Sequence, residues 1–279
     1  MIENALEKET MQRRILIIDD NDDLCSALNR EFVNLGHEVK TVETREEAVA
    51  IENLGDFDLV ITDLDDANLV SEVSENQDDT SCLPKISAKD YPNKKIKAFK
   101  ICATGFRREN FVEEELKSLV ETVLNYKARF VDETEAMQNI REKIEFEIPS
   151  AISLMHSILN YLLKRVEKIG VINAENSNLF IALDEAFVNA VKHGNKFDAE
   201  KNIRITAEVS TKEARFTVED EGEGFDVNAI PDPRDPENLF KSSGRGVLII
   251  HNVMDAVQYN ERGNRITMIK KSDSETQKI

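Results

Sequence analysis

A chain of 279 residues with a hydrophobic fraction of 41% holds enough apolar material for two ordinary cores, so two domains are expected. Its formal charge of -18 repels anionic surfaces, which excludes unspecific binding to nucleic acid or to an acidic membrane. Cys25, Cys82 and Cys102 form no Cys-x-x-Cys pair, so they read as reduced and buried, with neither a disulfide framework nor a zinc site. Residues 1–9 lack the basic and apolar regions of a signal peptide and no run is long enough to cross a bilayer, so a cytoplasmic protein is expected.

In chain order, Arg14-Ile15-Leu16-Ile17-Ile18 runs into Asp19-Asp20 as a buried parallel strand would. Leu24, Leu28, Phe32 and Leu35 then recur at helical spacing, and Gly36 is placed to cap that helix. A second strand over 38–42, a helix over 45–54 and a third strand over 58–63 continue the alternation. The pattern predicts an α/β fold, a doubly wound parallel sheet with helices on both faces and ligands at the carboxyl ends of the strands. Asp19, Asp20 and Asp63 all fall at such ends. Converging carboxylates repel one another unless a cation neutralises them, so a hard metal such as Mg²⁺ is expected between them.

This segment resembles the receiver domain of two-component response regulators, in abbreviated form. The resemblance implies that Asp19 and Asp20 are the acidic metal pair and Asp63 the phosphoacceptor, served by an upstream phosphodonor histidine kinase. Thr104 takes the family's switch position. Past Asp63 the chain departs from the pattern: Leu64-Asp65-Asp66-Ala67-Asn68 replaces the family's Met-Pro and Asp-Gly turn, and an acidic, polar stretch to about Asn93 reads as a loop or insert. A strand over 96–105 and a helix carrying Val112, Leu116, Leu119, Val120, Val123 and Leu124 complete the domain. The family's Lys-Pro is absent, and Lys100 is a candidate for its lysine only if its strand is the fifth. Such a receiver either accepts phosphate or serves as a docking or dimerisation surface. Its bounds are read as 12–126, followed by a charged, helix-compatible linker over 127–143.

Beyond the linker, a strand through Phe146-Glu147-Ile148 precedes helices over 152–169 and 177–193, a hairpin of 203–209 with 215–220, a helix over 244–254, and strands over 256–259 and 265–269. These predict a two-layer α/β sandwich over 144–272. In the second helix Glu185 and Asn189 share one face, while Phe187, Val188 and Val191 turn to faces a core could cover. Asp220 ends an alternating strand and opens Asp220-Glu221-Gly222-Glu223-Gly224, a turn whose backbone can approach a ligand. Gly244-Arg245-Gly246 precedes the apolar Val247-Leu248-Ile249-Ile250, and glycines ahead of a helix leave N–H groups aimed at a phosphate. Between the two clusters, Pro231, Pro233 and Pro236 stiffen a lid over 225–243.

In this order the three elements resemble the GHKL nucleotide-binding fold of gyrase, histidine kinases and mismatch-repair ATPases, and within it the anti-sigma-factor serine/threonine kinases. Glu185, Asn189 and His193-Gly194 match the N box, Asp220-x-Gly222-x-Gly224 the first glycine box, and Gly244-Arg245-Gly246 the second. The resemblance implies ATP and Mg²⁺ as cofactors, Asn189 as the Mg²⁺ holder, Glu185 as general base, and Asp220 bonded to the adenine amino group. It also implies an anti-sigma-factor antagonist as substrate, a sigma factor as partner, and a homodimer, since family members often dimerise through this domain. His193 either pins the helix end or touches nucleotide; Arg245 contacts phosphate or a partner unless it is structural. Two other readings stand beside the kinase: an ATP-dependent sequestering module without transfer, and a histidine-kinase-related protein. The last is disfavoured because His156 is followed by Ser157 and lies in the first helix of the ATPase fold.

Overall fold

A computed structural model of the chain describes residues 11–21, 23–65, 82–84, 96–108, 111–131, 141–172, 178–226 and 245–272. The strands are β1 (Arg14–Asp19), β2 (Glu38–Val42), β3 (Leu59–Leu64), β4 (Ile96–Cys102), β5 (Arg141–Pro149), β6 (Asn202–Val209), β7 (Glu213–Asp220), β8 (Ala256–Tyr259) and β9 (Arg265–Lys271). They form one nine-stranded mixed sheet in the order β2-β1-β3-β4-β5-β6-β7-β9-β8. The helices are α1 (Cys25–Asn34), α2 (Arg45–Val49), α3 (Glu113–Tyr126), α4 (Met155–Ile169), α5 (Leu179–Asn189) and α6 (Arg245–Val253).

Hydrophobic patterning explains how the two ends of the sheet differ. In β1, Ile15 and Ile17 enter the large core under α1, α3, α4 and α5, whereas Leu16 and Ile18 enter a smaller core with Ala48 of α2 on the opposite face. A strand covered on both faces is apolar along most of its length, which is why residues 15–18 of β1 and 59–61 of β3 read as unbroken runs. In β6 and β7 only alternate residues are buried: Ile203, Ile205 and Ala207 face the helices with Ala214, Phe216 and Val218, and Arg204, Thr206, Arg215 and Thr217 stand on the other face, partly exposed. The two-layer arrangement of this half follows from that alternation.

The parallel arrangement holds for β2, β1 and β3, but β4 runs antiparallel to β3, pairing Val60 with Cys102 and Leu64 with Ala98. β5 then pairs parallel to β4, and α3 is the crossover between them. A single β-α-β unit therefore spans the expected domain boundary, and the two expected sheets are halves of one. Residues Lys127–Val131 continue α3 as a π turn and Arg141 already lies in β5, so both ends of the segment read as a linker belong to regular elements. Its middle, 132–140, lies outside the described residues, as does most of the expected insert after Asp65.

Cysteine pairing also differs from the expectation: Cys82 and Cys102 are joined by a disulfide, and Cys25 stays a buried thiol outside it. Spacing in the chain could not reveal this, because it depends on residues 82–84 folding back over the end of β4. Leu83 is buried there, and the Pro84 carbonyl accepts from Arg45 Nη1 at 2.7 Å. Protein purified without reductant and unfolded in denaturant is expected to titrate one thiol per chain, rising to three after reduction. Three before reduction would disprove the pair. Among the described residues no helix is long and apolar enough to cross a membrane.

Candidate active site

Helix α5 buries Leu179, Ala182, Leu183, Ala186 and Phe187 in the core, which leaves Glu185 and Asn189 together on an adjacent, half-buried face against the start of α6. After Asn189 the helix widens into a π turn over Ala190–Gly194, closed by Asn195 N–H to the Ala190 carbonyl at 2.8 Å. Such widenings recur at functional sites because they redirect side chains without ending the helix. Here the turn carries His193 and Gly194 to the rim of a cavity of about 800 Å³. Its walls are Glu185 and Asn189 of α5, Asp220 at the end of β7, Gly224 and Phe225, Gly246 and Val247 of α6, and Tyr259 with residues 263–266. That volume lies within the range of small-molecule sites.

Two glycines make the cavity possible by close approach. A Cβ at Gly246 would overlap the Glu185 carboxylate and lie 3.7 Å from Asn189 Nδ2, so only glycine lets the first turn of α6 reach both side chains. A Cβ at Gly222 would overlap the Gly194 carbonyl, so the turn after β7 nests directly against the end of α5. Asp220 is fixed between these elements. Its backbone exchanges hydrogen bonds with Asn264, N–H to carbonyl at 3.0 Å and carbonyl from Asn264 Nδ2 at 2.7 Å, and its Oδ1 accepts from Gly222 N–H at 2.8 Å. Burial pushes the Asp220 carboxyl above its ordinary value, against the opposing donation from Gly222.

Sequence reasoning missed the residues that hold this geometry. Asn195 is fully buried and ties four segments together: its Nδ2 donates to Ser150 Oγ at 2.7 Å and to the Asn202 carbonyl at 2.8 Å, and its Oδ1 accepts from Glu221 N–H at 2.9 Å. Asn260 Oδ1 accepts from the N–H groups of Gly263, Asn264 and Arg265, shaping the turn that presents Asn264 to Asp220. Arg262 Nη2 donates to the Gly222 carbonyl at 2.7 Å. The one available signal was Asn195 directly after Gly194, a polar residue where the helix has to end.

Of the remaining expected residues, Gly244 lies outside the described residues, as do 227–243 of the expected lid, and Arg245 opens α6 with only its backbone described. Phe225 packs edge-on against Tyr259, ring centroids 5.5 Å apart. His156 is exposed and touches Phe180.

The acidic strand ends are arranged differently from the expectation. Asp19 is spent on the start of α1: its Oδ2 accepts from Leu24 and Cys25 N–H, both at 2.8 Å, and its Oδ1 from Asn21 N–H at 3.0 Å. Asp20 accepts from Asp65 N–H at 3.0 Å, and burial pushes its carboxyl above the ordinary value. Asp63 turns to Lys127, whose Nζ meets its two oxygens at 2.8 and 2.7 Å, both side chains buried. The expected Mg²⁺ cluster of Asp19, Asp20 and Asp63 is thus corrected: among the described residues no group of three or more His, Cys, Asp or Glu side chains is placed to hold a metal. Lys100, the candidate receiver lysine, bonds Glu147 at 3.2 Å instead.

With this geometry in view, comparison with known proteins is informative. Residues 148–270 match the family model of the histidine kinase-like ATPase domain, and the chain belongs to that family through this half. The match contains every element of the cavity. Among characterised relatives, serine-protein kinase RsbW of Staphylococcus epidermidis is 30% identical over 142 residues, covering 48% of this chain and 89% of the relative. RsbW of Staphylococcus aureus strain RF122 is 30% identical over 145 residues with the same coverage, and that of strain JH9 28% over 142.

Proposed function

We propose that this protein is an ATP- and Mg²⁺-dependent serine/threonine protein kinase of the anti-sigma-factor type. Its substrate in this reading is an anti-sigma-factor antagonist, its other partner a sigma factor, and its N-terminal half modulates the cycle. The observation that carries the reading is the meeting of Glu185 and Asn189 with the first turn of α6 at Gly246, across one cavity from Asp220. A sequestering module would need the nucleotide wall but no carboxylate beside the phosphate end.

The roles follow from where each group stands. Asp220, deep against β7, accepts the amino group of adenine, which orients the triphosphate toward α6. The N–H groups of the first turn of α6 meet phosphate oxygens, with the helix dipole adding to their pull. Asn189 offers a neutral amide oxygen one helical turn from Glu185, a donor that suits Mg²⁺ keeping most of its ligands as water and phosphate oxygen. Bound there, the ion neutralises charge on the transferring phosphoryl group. Glu185 takes the proton of the incoming serine or threonine hydroxyl, a step that needs a positioned carboxylate and little else from the protein.

The reading is tested by incubating the full chain with γ-labelled ATP, Mg²⁺ and candidate antagonist proteins, then treating the product with acid. Acid-stable label on a serine or threonine of an antagonist is expected. Acid-labile label would point to a histidine kinase, and tight ATP binding without transfer to the sequestering module.

A further inference from the structure

We infer that Arg107, contributed by the N-terminal half, is a positioning residue of the nucleotide site, acting through Glu221 on Asp220; this rests on the nucleotide reading given above. Arg107 lies in the turn Thr104–Arg108 that follows β4. The turn is anchored in the N-terminal core, since Phe106 is fully buried with the Arg13 guanidinium 4.3 Å from its ring centroid. Arg107 Nε folds back on the Thr104 carbonyl at 3.4 Å, and the guanidinium then leaves its own half of the molecule. Its Nη1 donates to the Glu200 carbonyl, in the loop between the end of α5 and β6, and stands 4.0 Å from Glu221 Oε2.

Both targets belong to the wall that holds Asp220. Glu221 is the next residue in the chain, its N–H bound to Asn195 Oδ1 at 2.9 Å and its Oε2 accepting from Asn202 N–H at 3.0 Å. Glu200 sits in the loop that Asn195 closes by bonding the Asn202 carbonyl. Arg107 therefore clamps the two segments whose spacing sets where the Asp220-Gly222 turn lies, and it places a positive charge beside a carboxylate adjacent to Asp220. Glu221 is 48% exposed, so solvent screens the charge pair, and most of the effect comes from holding the loop in place. A mere surface brace would act on stability alone. A positioning residue acts on how the site distinguishes the group that Asp220 contacts.

The test compares ATP with inosine triphosphate, which lacks the adenine amino group, by calorimetric titration of the full chain with Mg²⁺. Arg107→Ala is expected to weaken ATP binding roughly five-fold, the lower end of typical coupling between sites, with little change for inosine triphosphate. Arg107→Lys should recover part of the loss, since it keeps a donor for the Glu200 carbonyl. Glu221→Gln, which keeps an acceptor for Asn202 and loses only the screened charge, should shift ATP affinity less, and Arg107→Met, which keeps the apolar stem but donates nothing to the Glu200 carbonyl, carries the test if Arg107→Ala does not fold. Unchanged ATP affinity, or equal losses for both nucleotides, would overturn the inference alone. A wild-type chain that binds neither nucleotide, or binds the two alike, would overturn the adenine reading of Asp220 and this inference with it.

Discussion

Replacing Glu185 by Gln is expected to slow phosphoryl transfer by about 10²–10⁴-fold, the usual contribution of a positioned general base, while Mg-ATP still binds. Gln keeps the size and one oxygen of Glu but cannot accept the hydroxyl proton at neutral pH. The site is suited to separate the two effects. Glu185 shares its helix face with Asn189 and abuts Gly246, whereas the contacts that fix Asp220, to Asn264 and Gly222, lie elsewhere in the cavity and do not use it. The loss should appear in kcat and in kcat/KM equally, the signature of an interaction made in the transition state. Asn189→Ala should instead raise the Mg²⁺ concentration needed for half-maximal rate, because it removes the neutral oxygen proposed to hold the cation. Transfer by Glu185→Gln at the wild-type rate, measured on an antagonist substrate, would remove the base assignment and leave the carboxylate with no role in the chemistry.

Much of this site was legible from residue order because its parts are local. The Glu185–Asn189 spacing needs only a helix, and the two glycine clusters mark where backbone must approach a ligand or another segment. Gly246 against Glu185 and Gly222 against Gly194 show what those glycines are for. What escaped the sequence depends on contacts between distant segments. An apolar run reports burial on both faces but not strand direction, so β4 reads as one more strand of a parallel sheet although it runs antiparallel to β3. Asn195 looks like any polar residue at a helix end until its partners at 150, 202 and 221 are brought together by three different elements. Cys82 and Cys102 reach each other only because residues 82–84 fold back on the sheet.

Asp63 is where the local reading and the fold diverge furthest, and the energetic consequence can be measured. It stands at the end of a buried strand beside Asp19, as a phosphoacceptor would, with Asp19 and Asp63 paired in register. Yet its carboxylate is only 6% exposed and both oxygens receive Lys127, itself 4% exposed and 5.5 Å from the Phe99 ring centroid. Lys127 is the first residue of the segment read as a linker, and it continues the crossover helix that joins β4 to β5. The pair therefore fastens the expected receiver site to the connection between the two halves of the sheet. Removing one partner of a buried ion pair leaves the other charge desolvated, so Asp63→Ala is expected to cost about 3–5 kcal/mol in denaturant unfolding. Replacing both, as in Asp63→Leu with Lys127→Met, should recover most of that loss, because the desolvation of two charges is then relieved together. Incubation with a small-molecule phosphodonor and Mg²⁺ should leave Asp63 unmodified, since a buried carboxylate held through both oxygens by Lys127 is shielded from the donor. A stable, phosphorylatable Asp63 would mean that Lys127 yields readily, and that the crossover helix moves when it does. A destabilised Asp63→Ala that the double replacement rescues would make this residue a fastening point of the sheet, and the N-terminal half a fixed extension of the ATPase half.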